Sequence, residues 1–163
     1  MKAVTNKVTL IALFLGLSIQ PLLAQEQIIK DLFETGNEKK YAFYASTLRM
    51  VNLTKNKEYN ELVNGIDKLL VYSLDSATIA SKSYKKVADA YLNEGFEEYI
   101  MAFGGDINIA LIGKENKRAN EFAGYTNMDG NTFAFYLRGS IAWEKIPSLL
   151  KSIRKEEFLT FLP

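Results

Sequence analysis

The sequence of 163 residues contains no cysteine and no histidine. Without cysteine there is no disulfide, no thiol nucleophile and no thiolate metal site. Without histidine there is no imidazole base, which excludes Ser-His-Asp and Cys-His catalysis and histidine-ligated zinc. Neither sign of charge dominates, because 20 basic residues face 19 acidic ones and the net charge is +1. That balance does not favour nucleic acid as a partner.

The amino-terminal segment has the three-part layout of a secretory signal peptide. Two lysines accompany an uncharged apolar run over residues 8–17, and Ala24 is the small residue expected just before the cleavage point. The alternative is an uncleaved anchor, but the run is shorter than the roughly 20 residues that span a bilayer, and Pro21 interrupts it. We therefore expect residues 1–24 to be removed on export and residues 25–163 to form a single domain.

Two further features bear on where the exported chain resides. No second long apolar stretch follows the leader, so we expect no membrane span in the mature chain. An exported chain without cysteine has to be stabilised by packing alone, which suits a bacterial envelope better than a small eukaryotic secreted domain. We expect the protein in the periplasm or outside the cell.

The patterning of residues 25–163 predicts an α+β fold with about six strands in a mostly antiparallel sheet. Helical spacing of apolar residues begins after Asp75 and predicts one long helix that ends at Gly95. The period then becomes two-fold and predicts a meander of four strands with short turns over residues 96–138. An amphipathic helix follows this meander. We expect all helices to pack on one face of the sheet.

Three segments then resemble a known family. They are KLLVYSL at 68–74, EGFEEYIMAFGGDINIALIGKENKRANEF at 94–122 and FYLRGSIAWEKIPSLLKSI at 135–153. The chain resembles the DUF4252 family of exported Bacteroidetes proteins over about Gln27 to Ile153. The resemblance implies a small exported protein with no assigned activity, so no functional residue follows from it. Many members carry a lipidated cysteine after the signal, and this chain has none.

Alternation along the last predicted strand suggests a binding surface. Tyr136 and Arg138 alternate with the apolar side chains of that strand and so lie on the opposite face. With the helices on the first face, the second is an open surface to which Tyr99 and Tyr125 also contribute. Aromatic side chains beside arginine are typical of binding surfaces. This pattern favours a non-enzymatic module that binds an envelope protein or a small ligand. The alternative is that these are ordinary half-buried tyrosines.

The alternative function is an envelope hydrolase that uses carboxylates or a Ser-Lys pair. The adjacent Glu97 and Glu98 cannot share one site, because neighbours on a strand point to opposite faces. Ser83 and Lys86 match the bare S-x-x-K pattern of penicillin-recognising enzymes, but the partner motifs of that class are missing. The sequence therefore identifies no catalytic, cofactor-binding or metal-binding residue.

The segment Asp75-Ser76-Ala77 resembles the O-glycosylation motif of exported Bacteroidetes proteins. Ser76 is therefore a candidate modification site. The alternative is that Asp75 or Ser76 caps the following helix, which stabilises it by about 0.5–2 kcal/mol.

Overall fold

A computed structural model describes residues 20–34, 36, 38–51, 57–104, 107–128 and 131–154. The expected signal peptide lies outside the described residues as far as residue 19. The elements in chain order are α1 (Gln20–Phe33), β1 (Lys39–Tyr44), α2 (Ala45–Val51), α3 (Lys57–Val63), β2 (Ile66–Ser73), α4 (Ser76–Ser81), the 3-10 helix η1 (Ser83–Lys85), α5 (Lys86–Asn93), β3 (Glu97–Gly104), β4 (Ile107–Lys114), β5 (Asn120–Met128), β6 (Asn131–Gly139), the 3-10 helix η2 (Trp143–Lys145) and α6 (Ile146–Arg154).

The six strands form one sheet in the order β1-β2-β6-β5-β4-β3, and every neighbouring pair is antiparallel. Strands β3 to β6 are the predicted meander, and α6 follows them. The α+β class, the six strands and the meander are therefore confirmed. Strand β6 lies between β5 and β2, with Tyr136 opposite Leu70. It therefore connects the amino-terminal strands β1 and β2 with the meander in one sheet.

Helices cover both faces of the sheet, which corrects the expectation that they pack on one face only. On the α2–α3–α6 face, strand residues Leu69, Val71, Phe122, Phe135 and Leu137 are buried with helix residues Leu48, Val63, Ile146 and Leu149. On the α1–α5 face, strand residues Leu70, Tyr72, Ala123, Tyr125 and Tyr136 are buried with helix residues Ile29, Phe33, Val87 and Tyr91. The physical reason is that β2 and β6 are apolar on both sides, so each side requires a cover.

The single long helix predicted after Asp75 is interrupted. Lys82 adopts a left-handed conformation with φ of 56°, and the chain passes from α4 through η1 into α5. The Ser81 hydroxyl donates to the Thr78 carbonyl oxygen at 3.2 Å and also accepts from the Ser83 N–H at 3.4 Å. Serine side chains compete in this way with the helical backbone bonds, which accounts for the break.

Helix α5 ends just before Gly95, close to the end that the sequence predicts. Gly95 has φ of 79°, and its N–H donates to the Leu92 carbonyl oxygen at 3.0 Å. Glycine adopts this left-handed conformation without the steric cost of a Cβ atom. Among the helices of the described part, none is long and apolar enough to cross a bilayer.

Candidate binding cleft

The expected open tyrosine surface does not exist, because helices cover it. Tyr125 and Tyr136 lie on the α1–α5 face and are each only 1% exposed. Tyr125 packs edge-on against Tyr84 at 4.9 Å between ring centres, and Tyr136 stacks on Tyr91 at 6.2 Å. The alternation of β6 is as predicted, but its second face is core.

Arg138 and Tyr99, the other two residues of the predicted surface, lie on opposite faces of the sheet. Arg138 is partly buried on the α1–α5 face, opposite Glu121 of β5. Tyr99 packs on the opposite, α2–α3–α6 face. A bulge in β3 between Glu98 and Ile100 directs both Tyr99 and Ile100 to that face. The four residues therefore do not form one surface, and Tyr99 lies beside a different site.

That site is a cleft at the end of the sheet where β4 meets β5 and where β6 leads into α6. It has a volume of about 410 Å³ and is lined by residues 115–120 and 140–144. In an antiparallel meander, the end of β6 lies beside the start of β5, which brings these two connections together. The volume is within the range of small-ligand sites.

The side chain of Asn120 links the two walls of the cleft. Its amide nitrogen Nδ2 donates to the Ile141 carbonyl oxygen at 3.2 Å, and its Oδ1 accepts from the Asn116 backbone N–H at 3.2 Å. At the base, the Ser140 N–H donates to the Gly65 carbonyl oxygen at 2.7 Å. A Cβ atom on Gly139 would lie 2.9 Å from the Gly65 carbonyl carbon, so only glycine permits this approach. The cleft is thus built on a braced connection.

Two half-buried aromatic side chains stand beside the cleft. The rings of Tyr99 and Trp143 lie 5.5 Å apart, and Tyr99 packs edge-on against Phe122 at 5.7 Å. Partial burial, together with the negative charge and the hydrogen bond of Glu115, raises the pKa of Tyr99. The Glu115 carboxylate thus lies near the Tyr99 hydroxyl at the edge of the cleft.

Exposed charges of both signs complete the rim of the cleft. Lys117 and Arg118 come from the β4–β5 connection, where Glu115 also lies, and Glu144 comes from η2. This arrangement combines aromatic side chains with charges of both signs, which are components of ligand-binding sites in general. Trp143 lies at the start of the amphipathic helix predicted after the meander, and Lys117 and Arg118 lie in one of the meander's predicted short turns, so neither prediction indicated a binding site. The available signal was the only tryptophan of the chain, close to a charged loop in the predicted fold.

Comparison with known proteins places the cleft inside a recognised domain. The family model described as "Domain of unknown function (DUF4252)" matches residues 42–149. The chain belongs to the DUF4252 family. Searches of curated proteins and of solved structures found no match. The matched part of the DUF4252 domain includes β2 to β6 and the whole cleft, whereas α1 precedes it.

Residues considered for hydrolysis lie apart from the cleft. In the DUF4252 domain, Glu97 and Glu98 are exposed at the start of β3, and their registers place them on opposite faces. Ser83 lies in η1, where its hydroxyl is 3.5 Å from the Thr78 carbonyl oxygen, and Lys86 begins α5. Within the described ranges, no three acidic side chains are grouped so as to hold a metal ion.

Asp75, not Ser76, caps α4 of the DUF4252 domain. The Thr78 N–H donates to Asp75 Oδ1 at 2.7 Å, and this bond lowers the pKa of Asp75. Ser76 is the first residue of α4 and is exposed. The capping alternative is therefore confirmed for Asp75, and it leaves the Ser76 hydroxyl accessible.

The α1–α5 face contains a buried polar cluster that the sequence did not indicate. Glu121 is 3% exposed and accepts a 2.6 Å hydrogen bond from the Tyr136 hydroxyl. With the Gln25 amide oriented so that its nitrogen faces Glu121, that nitrogen donates to both carboxylate oxygens, with Oε1 at 2.8 Å. The Tyr91 hydroxyl donates to the Gln25 carbonyl oxygen at 2.8 Å. Burial raises the pKa of Tyr136 and of Tyr91, and the charge of Glu121 adds to both shifts.

Proposed function

We propose that this chain is an exported, non-enzymatic binding module of a bacterial envelope, whose cleft binds a peptide segment of a partner protein. The observation that carries the proposal is that Trp143 lines one cleft together with Arg118 and two carboxylates, and that Tyr99 packs on Trp143 beside this cleft. Tryptophan, tyrosine and arginine are the residue types that contribute most to binding energy at protein interfaces.

The chemistry of the cleft supports a peptide as the ligand. The aromatic pair suits an apolar side chain, while Lys117 and Arg118 attract acidic groups and the two glutamates attract basic ones. A peptide supplies apolar groups and charges of both signs on one extended backbone. The Asn116 side chain at the cleft wall offers an amide for that backbone. Complementary charges of this kind increase specificity and the rate of association.

Export is supported by the layout of the leader, with a basic start, an uncharged apolar run and Ala24 before the cut. We expect intact-mass analysis of the protein from its native envelope to show a chain that begins at Gln25. A mass that retains Met1 to Ala24 contradicts cleavage.

Binding is tested with a random peptide library displayed on phage and selected on the protein that begins at Gln25. The selected peptides are then titrated against the double variant Lys117→Glu and Arg118→Glu. We expect Kd to rise by at least about tenfold, which corresponds to 1.4 kcal/mol.

The matched control is the double variant Lys39→Glu and Lys86→Glu, which changes the net charge equally at exposed positions outside the cleft. It is expected to keep the affinity of the wild type. Equal weakening in both double variants, or no enrichment of peptides on the wild type, contradicts the proposal.

A further inference from the structure

Glu121 is a buried carboxylate whose described hydrogen-bond donors are neutral. They are the Tyr136 hydroxyl and the Gln25 amide. Arg138 is its cross-strand neighbour, yet the Arg138 Nε atom is buried without a hydrogen-bond partner among the described residues. A carboxylate has about four acceptor sites, and the described donors use three of them. Glu121 can therefore accept one further hydrogen bond, and a positively charged donor would add to the compensation of its buried charge.

The expected signal cleavage would create a positively charged group close to Glu121. Gln25 follows Ala24 directly, so the expected signal cleavage would turn its backbone nitrogen into an α-ammonium group. The side chain of Gln25 already contacts the Glu121 carboxylate. At most the length of one glutamine side chain and one hydrogen bond therefore separates its α-nitrogen from that carboxylate.

We infer that Glu121 is the binding site for the amino-terminal residue of the mature chain, and that its carboxylate holds both the Gln25 amide and the new α-ammonium group. This inference rests on the export proposed above. The Tyr91 hydroxyl fixes the Gln25 carbonyl oxygen from the α5 side. The ion pair of Glu26 with Lys68 of β2, at 2.7 Å, holds the next residue of α1 against the sheet. Cleavage therefore completes the anchoring of α1.

Binding at Glu121 would also slow the cyclisation of the amino-terminal glutamine. A free amino-terminal glutamine cyclises when its α-nitrogen attacks Cδ, a lactam C–N bond forms and ammonia leaves. A protonated nitrogen has no free electron pair for this attack. The carboxylate of Glu121 stabilises the protonated form. Cyclisation in the folded protein is therefore slower than in the unfolded chain.

The stability test compares a chain that begins at Gln25, released by proteolysis of an amino-terminal fusion, with one that begins at Ala24. The extra residue displaces the α-ammonium group from Glu121. We expect the chain that begins at Ala24 to have a lower Tm by about 3–6 °C. The Glu121→Gln variant is expected to remove this difference, whereas Glu97→Gln, at an exposed carboxylate, is expected to keep it.

The second measurement needs no variant. Intact mass records the loss of ammonia from the chain that begins at Gln25, in buffer and in denaturant, and we expect at least a tenfold slower loss in the folded state. Equal Tm values for the two chains, or equal rates of ammonia loss, overturn the inference. Both experiments use a terminus made in vitro. A native terminus at another residue therefore contradicts the proposed cleavage without changing the result for Glu121.

Discussion

Four tyrosines of the α1–α5 face predict how the protein responds to alkaline pH. Tyr72, Tyr91, Tyr125 and Tyr136 are each at most 1% exposed. Burial is the largest cause of a raised pKa in all four, and it raises the pKa of Tyr125 to about 12. In the unfolded chain, a tyrosine titrates at its ordinary pKa of about 10.

The sign and the size of the effect follow from these pKa values. The folded protein keeps phenolic protons that the unfolded chain releases, so stability is complete below pH 10 and is lost as pH rises toward the folded pKa values. Each of these tyrosines lowers the free energy of unfolding by about 1.4 kcal/mol per pH unit above 10, so the four together lower it by about 5.6 kcal/mol near pH 11. The whole stability of a small domain is about 5–15 kcal/mol. We therefore expect cooperative unfolding at about pH 11–12.

The assay records the phenolate absorbance and the far-ultraviolet circular dichroism in one alkaline titration. We expect the absorbance of the buried tyrosines to appear in a single step that coincides with the loss of secondary structure. In the Tyr136→Phe variant, one titrating group fewer makes the pH dependence of unfolding less steep. A full phenolate signal at about pH 10 with native circular dichroism would refute the reasoning.

Three further outcomes are expected. Gly124→Ala should lower the free energy of unfolding, measured in urea, by about 3 kcal/mol. A Cβ atom at this position overlaps the Ala110 carbonyl group and comes within 3.3 Å of the ring of Phe135. An unchanged midpoint of unfolding in urea contradicts this prediction. Tyr136→Ala should cost about 3–5 kcal/mol in the same assay, while Met50→Ala, at a side chain that is 75% exposed, should leave the midpoint within experimental error. Glycopeptide mass spectrometry of the native protein should find a glycan on the exposed Ser76, and a fully unmodified peptide excludes it.

The strands were predictable because their apolar pattern is strong and the turns between them are short. The continuous apolar run KLLVYSL is also typical of a strand buried on both faces, which is what β2 is. This two-sided apolar pattern contradicts the expectation that all helices pack on one side of the sheet. A strand with two apolar faces in an antiparallel sheet requires helices on both sides, so the three-layer arrangement was within reach of the sequence.

The sites were less predictable because they depend on contacts distant in the chain. Glu121 follows Asn120 and precedes Phe122 in an ordinary alternating strand, and it is buried because helices cover the α1–α5 face. Tyr99 faces the cleft side together with Ile100 because of a bulge, which period-two alternation does not predict. The cleft itself arises from two connections that are separated by two strands.

The position of β6 between β5 and β2 has a consequence for the order of folding. Strands β3 to β6 pair with their neighbours in sequence, so they form early and at little entropic cost. Pairing of β6 with β2 has to close a loop that includes the whole meander, and such distant pairings are slow. Until β2 arrives, the free edge of β6 presents the backbone of Phe133, Phe135 and Leu137 to other chains. Unpaired apolar edges of this kind promote aggregation. The lifetime of that open edge, more than the stability of the finished sheet, is therefore expected to limit the yield of refolded protein.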